Sequence, residues 1–435
     1  MTNKEIVKQI IVNAQKRLLT DQLVKRDVDL PINSGKIITV PGVRRCGKSA
    51  LLMLTIEKLI ATGTDRRNIL FFNFDDERIQ FNSENLDMIV SAYRELYPDI
   101  ALSDAYIFFD EIQMAEGWQS FVRRLYEEEC RNLFVTGSNS QMLSSEIASV
   151  LRGRSLQYEE YPLSFNEVCR FKEVEANVYS DTCRARLATL FDEYLVWGGF
   201  PEVVMAELHL KDRILSDYFY VMLYRDLVEH FNINPATTAR YFIRRVMENI
   251  TKPTSVNKIF KELKSQGLSV SKDRIYSLAE QCEAIYLFMP LYRYTGSVQR
   301  SMTSDTKFYC IDMGLRKMTL KPQSDDNGKM LENAVFLHLK RSLDDTQNLA
   351  YYKGQGECDF VVSRHEEVER LIQVSWDIST VDTFDREISG LTEAARTTGC
   401  SHLTLITHEE ERDLETEVGT VHILPAWKWM LDPAQ

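Results

Sequence analysis

The eight residues Gly42-Val43-Arg44-Arg45-Cys46-Gly47-Lys48-Ser49 constrain this chain more than any other stretch of it. They fit the spacing G-x-x-x-x-G-K-[ST] and lie between a β-branched run, Lys36 to Val40, and a helical pattern that begins at Ser49 and continues to about Ile60. Glycines at these positions let successive backbone N–H groups wrap phosphate oxygens, and the following helix presents its positive end to them. Lys48 is expected to reach the β and γ phosphates and to stabilise charge in transfer, and the Ser49 hydroxyl is expected to ligate Mg²⁺. Gly42, Arg45, Cys46, Gly47, Lys48, Ser49 and Ala50 therefore form the expected phosphate-binding set. A strand, loop and helix in this order predict an α/β domain with a buried parallel sheet.

Further strands end in polar residues, as they should where open α/β sheets gather ligands. Ile69 to Phe74 runs into Asp75-Asp76, which either serves the site or caps the strand. Tyr106-Ile107-Phe108-Phe109 runs into Asp110-Glu111, the Walker B pattern. Asp110 would hold Mg²⁺ through its water shell, and Glu111 would polarise the attacking water or accept its proton. Leu133 to Thr136 leads into Gly137-Ser138-Asn139-Ser140. Its small polar groups either sense the γ-phosphate, Asn139 foremost, or simply form a turn. A helix from about Gln141 to Val150 then precedes Leu151-Arg152-Gly153-Arg154 and a strand at Ser155 to Tyr158. Arg152 or Arg154 could stabilise phosphoryl-transfer charge, within the chain or across a subunit boundary, or could be an ordinary surface arginine.

At 435 residues the chain exceeds what one core usually serves, so separate modules are expected. Met1 to Leu19 reads as an amphipathic helix and not as a signal peptide, and no stretch has the roughly 18 apolar residues of a membrane-spanning helix. A cytoplasmic protein is expected. Its eight cysteines are widely spaced without a C-x-x-C pair, so free buried thiols are expected and a zinc site or disulfide framework is not. The net charge of −12 argues against wholesale coating of nucleic acid. Between Ala236 and Leu320, however, fourteen Lys or Arg stand against seven Asp or Glu, a local +7 that leaves −19 for the remainder.

Taken together, these residues resemble the AAA-type P-loop ATPases of bacteria and archaea that carry a C-terminal domain of unknown function. The resemblance also rests on Leu133 to Asn139, Arg152-Gly153-Arg154, Tyr161-Pro162-Leu163-Ser164-Phe165-Asn166-Glu167, Trp197-Gly198-Gly199-Phe200-Pro201 and Tyr224-Arg225-Asp226-Leu227, and spans nearly the whole chain. It implies ATP as the nucleotide, a parallel sheet of about five strands with helices on both faces, and an arginine finger at Arg152 or Arg154 if subunits associate as a homo-oligomer. It further implies that Gly199-Phe200-Pro201 lies near the adenine, with Pro201 in the binding set. Read from the residues alone, Gly198 to Pro201 is a turn that ends one helix before another begins.

The basic stretch predicts a helix over Ser255 to Leu263, a turn at Gly267, a second helix from Lys272 through Ala279, and strands at Ala284 to Met289 and Lys307 to Ile311. That order looks like a winged helix-turn-helix, which either reads DNA, through Lys272, Arg274, Arg293 and Arg300, or contacts protein. A polar break from Lys321 to Lys329 suggests a linker before a helix beginning at Leu331. Strands at Leu349 to Tyr352, Glu357 to Val362 and Leu371 to Trp376 follow, in an order resembling the restriction-endonuclease core. Glu332 and Asp359 match its metal-binding pattern, but Gln373 stands for its Glu and Ser375 for its Lys. A serine cannot supply the cationic stabilisation of a lysine, so a non-catalytic module for binding or assembly is expected.

The expected partition is an ATPase domain over 1–165, a helical lid over 166–235, a winged-helix module over 236–320 and the endonuclease-like domain over 328–435. The functions that fit are an ATPase driving or gating its attached modules, a slow nucleotide-gated switch for DNA or protein, and, against the grain of Ser375, an ATP-controlled nuclease. Kinase H-R-D and D-F-G motifs are missing from the sequence.

Overall fold

The computed structural model describes residues 3–17, 23–138, 153–268, 270–295, 305–320 and 326–432. Asn139, Arg152 and Arg300, and the helix expected at Gln141 to Val150, lie outside the described residues. The chain divides into two compact units, Met1–Tyr161 and Pro162–Gln435.

The first unit is built on β1 (Ile37–Pro41), β2 (Ile69–Asn73), β3 (Tyr106–Asp110), β4 (Leu133–Gly137) and β5 (Ser155–Gln157), which form one parallel sheet in the order β2-β3-β4-β1-β5. Both faces are apolar because side chains alternate across a strand. Ile38, Val40, Ile69, Phe71, Phe108 and Phe134 pack on one face with Leu51, Leu52, Ile56 and Leu59 of the helix Lys48–Ala61. Ile37, Leu70, Phe72, Ile107, Phe109, Leu133 and Val135 pack on the other with helices Asn3–Arg17, Asp87–Leu96 and Trp118–Glu128. This is a three-layer α/β domain. Inserting β4 between β1 and β3 sets the ends of three strands side by side, and the site stands on those ends.

The second unit opens with the helix Phe165–Phe171, whose start explains the local sequence. Ser164 Oγ accepts from Glu167 N at 3.1 Å while Glu167 Oε2 accepts from Ser164 N at 2.8 Å, a complete capping box. Helices Asp181–Trp197, Pro201–Met205 and Leu208–Val221 follow, and Tyr224 to Leu227 lies in a π-helical stretch, Met222–Glu229. Helices Ala236–Glu248, Val256–Ser265 and Lys272–Ala284 then lead to an antiparallel pair, β6 (Phe288–Leu291) and β7 (Lys307–Cys310). Ala284 closes a helix and does not begin a strand, because Ile275, Leu278, Cys282 and Ala284 keep one buried helical face.

The last part is a separate mixed sheet. Its helix already includes Asp326, ahead of Leu331: Asp326 is buried against Arg316, with Nη1 to Oδ2 at 2.7 Å, so the last residues of the expected linker are helical. Strands β8 (Gln347–Lys353), β9 (Glu357–Arg364), β10 (Glu367–Val374), β11 (Leu403–Thr407), β12 (Arg412–Thr416) and β13 (Gly419–Pro425) are ordered β12-β13-β11-β10-β9-β8. The crossover between the parallel strands β10 and β11 is the helix Val381–Thr398, capped by Thr380 at its start and by left-handed Gly399 at its end.

Candidate functional site

The loop from Gly42 to Gly47 leaves β1 and delivers the helix Lys48–Ala61 with its first turn open. Gly47 takes φ 113°, a left-handed value that glycine adopts without strain, and the helix start has no side-chain cap. Its first N–H groups are thus donors with no intrahelical partner, which is what an anion at a helix N-terminus requires. Arg45 is exposed and also left-handed, at φ 67°, and Cys46 is fully buried. Burial pushes the Cys46 thiol up to about 11, so it packs and does not react. Lys48 is buried at 3 % exposure, its Nζ 3.1 Å from both Gly42 O and Val43 O and 3.5 Å from Glu111 Oε1.

Two elements outside the motif fix this loop. The Glu160 carbonyl lies against Gly42 so closely that a Cβ there would stand 2.1 Å from its oxygen. Arg26, 5 % exposed, donates to Cys46 O and Tyr161 O, each at 2.9 Å, and ion-pairs with the buried Glu160 carboxylate.

At the end of β3, Asp110 is 1 % exposed and both its oxygens are bonded: Ser49 Oγ donates to Oδ2 at 2.7 Å and Thr136 Oγ1 donates to Oδ1 at 2.6 Å. Thr136 Oγ1 also accepts from Glu111 N at 2.9 Å, so one hydroxyl from β4 sets both acidic residues. Glu111 is held at φ 50°, which costs a non-glycine residue about 1 kcal/mol and aims its carboxylate at Lys48. Gln113 Nε2 donates to that carboxylate and, at 3.1 Å, to Ser138 Oγ. Burial pushes the Asp110 carboxyl up, against the Thr136 and Ser49 hydrogen bonds. Burial also acts to raise Glu111, but Lys48, Gln113, Arg44 and Ser138 together outweigh it and hold that carboxyl below its usual range.

The structure thus brings Gly42, Cys46, Gly47, Lys48, Ser49, Asp110 and Glu111 together. Asp76 pairs with Arg78 at 2.6 Å, and Arg154 pairs with Glu127 at 2.7 Å. Pro201, in the second unit, is the first residue of a short helix, after a turn in which Gly199 N donates to Asp312 Oδ2 at 2.6 Å and Gly199 O accepts from Leu163 N at 2.7 Å. Thr136, Gln113, Arg26 and Glu160 went unnoticed in the sequence. Only Thr136 carried a signal, as the one hydroxyl in an otherwise apolar strand run.

In the basic stretch, Arg274 Nη2 donates to Asn232 O at 3.2 Å, and the Arg293 guanidinium is spent on the carbonyl of Lys353. Arg293 therefore contacts the C-terminal sheet through this exposed bond. In that sheet Gln373 Oε1 accepts from Asp359 N at 3.1 Å, and Ser375 Oγ donates to Asp377 O at 3.2 Å, while Glu332 and Asp359 converge on a lysine from outside the sheet, Lys307. All eight cysteines are free, with Cys183 alone not fully buried. Among the described residues no helix is long and apolar enough to cross a membrane.

A five-stranded parallel sheet with a phosphate loop after β1 and an acidic pair after β3 defines an AAA-type P-loop ATPase, and a family model described as an AAA domain matches residues 34–169. A second model, a domain of unknown function (DUF8612), matches residues 188–326. Over 446 aligned residues the chain is 32 % identical to the uncharacterized protein MJ1544 of Methanocaldococcus jannaschii, covering 99 % of this chain and 96 % of that one, and it belongs to that family of AAA-domain proteins. An uncharacterized protein of Haemophilus influenzae is 30 % identical over 346 residues, 79 % of this chain and 83 % of its own. Among solved structures, the Walker-type ATPase PABY2304 of Pyrococcus abyssi aligns with a TM-score of 0.42 at 13 % identity, covering 73 % of this chain and 96 % of that one.

Proposed function

We propose that this ATPase hydrolyses ATP with Mg²⁺ to drive or gate conformational change in the modules that follow its ATPase domain. The observation that carries this reading is the convergence of Lys48, Ser49, Asp110 and Glu111 at the ends of β1 and β3. Ser49 Oγ and Asp110 Oδ2, 2.7 Å apart, are hard oxygen donors of the kind Mg²⁺ takes, and the uncapped helix start beside them suits a phosphate. Ser49 and Asp110 would hold Mg²⁺ there, and the ion would supply electrostatic stabilisation of the charge that develops on transfer.

The chain's own residues do the rest. Loop amides from Gly42 through Ala50 orient the phosphates, and the Lys48 ammonium, held inside the loop, meets the β and γ oxygens. Glu111, fixed by Thr136 and Gln113, orients the attacking water and takes its proton. Asn139 fits a sensor of the γ-phosphate, Pro201 a contact on the adenine side, and Arg152 or Arg154 a finger supplied between associated subunits. Partition into lid, winged-helix module and endonuclease-like domain belongs to the same proposal. Lys258, Lys261, Lys264 and Lys272 are exposed on the two helices of the basic stretch and suit DNA phosphates, while a protein partner is the alternative for that face.

ATP hydrolysis by the wild type and by Glu111→Gln, with and without double-stranded DNA at low and at physiological salt, tests the reading. Turnover that Glu111→Gln abolishes supports an ATPase, and its stimulation by DNA at low salt supports the DNA contact. ATP binding without turnover under every condition would replace the ATPase cycle by a slow nucleotide-gated switch.

A further inference from the structure

Lys307, on β7, is 1 % exposed, and its ammonium lies 2.8 Å from Asp359 Oδ1, 2.8 Å from Glu357 Oε1 and 3.1 Å from Glu332 Oε1. Glu357 and Asp359 are two residues apart on β9 and so share a face of the sheet, and Glu332 comes from the helix Asp326–Ser342. The three N–H donors of the ammonium therefore each have a carboxylate oxygen. Tyr309 adds a hydrogen bond to Glu332 Oε1 at 2.7 Å, and Lys353 reaches Glu357 Oε2 at 2.7 Å. Burial would lower the Lys307 pKa, but Asp359, Glu332, Tyr309 and Glu357 outweigh it and keep the amine charged.

The lysine arrives with its strand already docked. Tyr294 N donates to Tyr351 O at 2.7 Å, Tyr351 N donates to Tyr292 O at 3.0 Å, and Tyr351 OH donates to Asp305 O at 2.6 Å, so the β6–β7 pair and its flanks lie along the β8 edge. An isolated ammonium is expensive to bury, and three carboxylates drawn together without a cation are equally so. Oxygen atoms about 3 Å from one point would need to close by well under 1 Å to make the shell that a hard divalent cation takes. As they stand, no group of three or more acidic, histidine or cysteine side chains among the described residues is placed to hold a metal ion.

We propose that Glu332, Glu357 and Asp359 form a cation site whose resident cation is the tethered ammonium of Lys307, which pins β6–β7 to the C-terminal sheet and excludes divalent metal ions. The sheet's acidic centre thus serves as a docking socket for the preceding hairpin.

The test is a calorimetric titration of Mn²⁺, without nucleotide, into full-length, metal-stripped protein carrying Asp110→Asn so that the phosphate site does not contribute. With Lys307 present no Mn²⁺ should bind through this cluster. Lys307→Met should take up one Mn²⁺ at least tenfold more tightly than any site in its lysine-containing parent, gain thermal stability with Mn²⁺, and lose both effects when Asp359→Asn is added. Mn²⁺ binding by the lysine-containing protein that Asp359→Asn removes would overturn the proposal, as would a folded Lys307→Met that takes up none. Should Lys307→Met alone not fold, Lys307→Gln, which removes the ammonium but keeps all three carboxylates and offers them an amide N–H, is titrated in its place, and the same two outcomes decide.

Discussion

Thr136 holds two acidic residues through one oxygen, donating to Asp110 and accepting from the Glu111 backbone. Thr136→Val keeps the shape and removes both bonds, so it should lower kcat at least about tenfold and raise the Mg²⁺ concentration needed for half-maximal turnover, the usual effect of losing a partner behind a metal ligand. Unchanged Mg²⁺ dependence would deny it that role. The residue types of the loop, Asp110 and Glu111 were legible in the sequence because their chemistry is local, with spacing and flanking strand enough to place them. Arg26 and Gln113 were not, since their roles arise only when Cys46, Glu160 and Ser138 are carried to them by separate elements.

Among the elements, the close approach of β1 and the segment after β5 makes a size prediction. Gly42→Ala would press a methyl onto the Glu160 carbonyl, 2.1 Å away, and should cost about 1–3 kcal/mol in chemical denaturation along with affinity for ATP. The turn at Gly198 and Gly199 makes a prediction in pH. Burial, against hydrogen bonds from Gly199, Gly314 and Leu315 N–H and the charge of Arg341, pushes the Asp312 carboxyl up to about 7. A carboxyl raised on folding stabilises most at low pH, and that contribution is lost as pH rises from its ordinary value through about 7. Urea unfolding at about pH 5 and about pH 8 should therefore show wild type losing stability relative to Asp312→Asn, and a difference that stays level or grows would contradict the assignment. Strands β1 to β4 of the first sheet were readable because each is a largely apolar run buried on two faces. Helix limits were less so: Asp326 enters its helix through an ion pair with Arg316, a contact that the polar run from Lys321 to Lys329 does not announce.

For the whole molecule, the sequence conveyed the order of parts better than their use. The two helices expected in the basic stretch are present and two strands follow them, the first beginning at Phe288 and not at Ala284, yet Arg293 and Lys307 reach the C-terminal sheet, because the pair β6–β7 meets the β8 edge. A charge count along the chain records how many cations a segment has and not which are consumed internally. On the proposed mechanism, Lys48 of the first unit holds the nucleotide and Glu111 acts only in turnover. The most direct test measures equilibrium ATP binding and single-turnover hydrolysis on the same preparations of wild type, Lys48→Ala and Glu111→Gln. Lys48→Ala should lose affinity by at least about tenfold, as loss of a charged hydrogen-bonding partner does, while Glu111→Gln should bind like wild type and leave the bound ATP intact. Hydrolysis by Glu111→Gln at the wild-type rate would contradict the account.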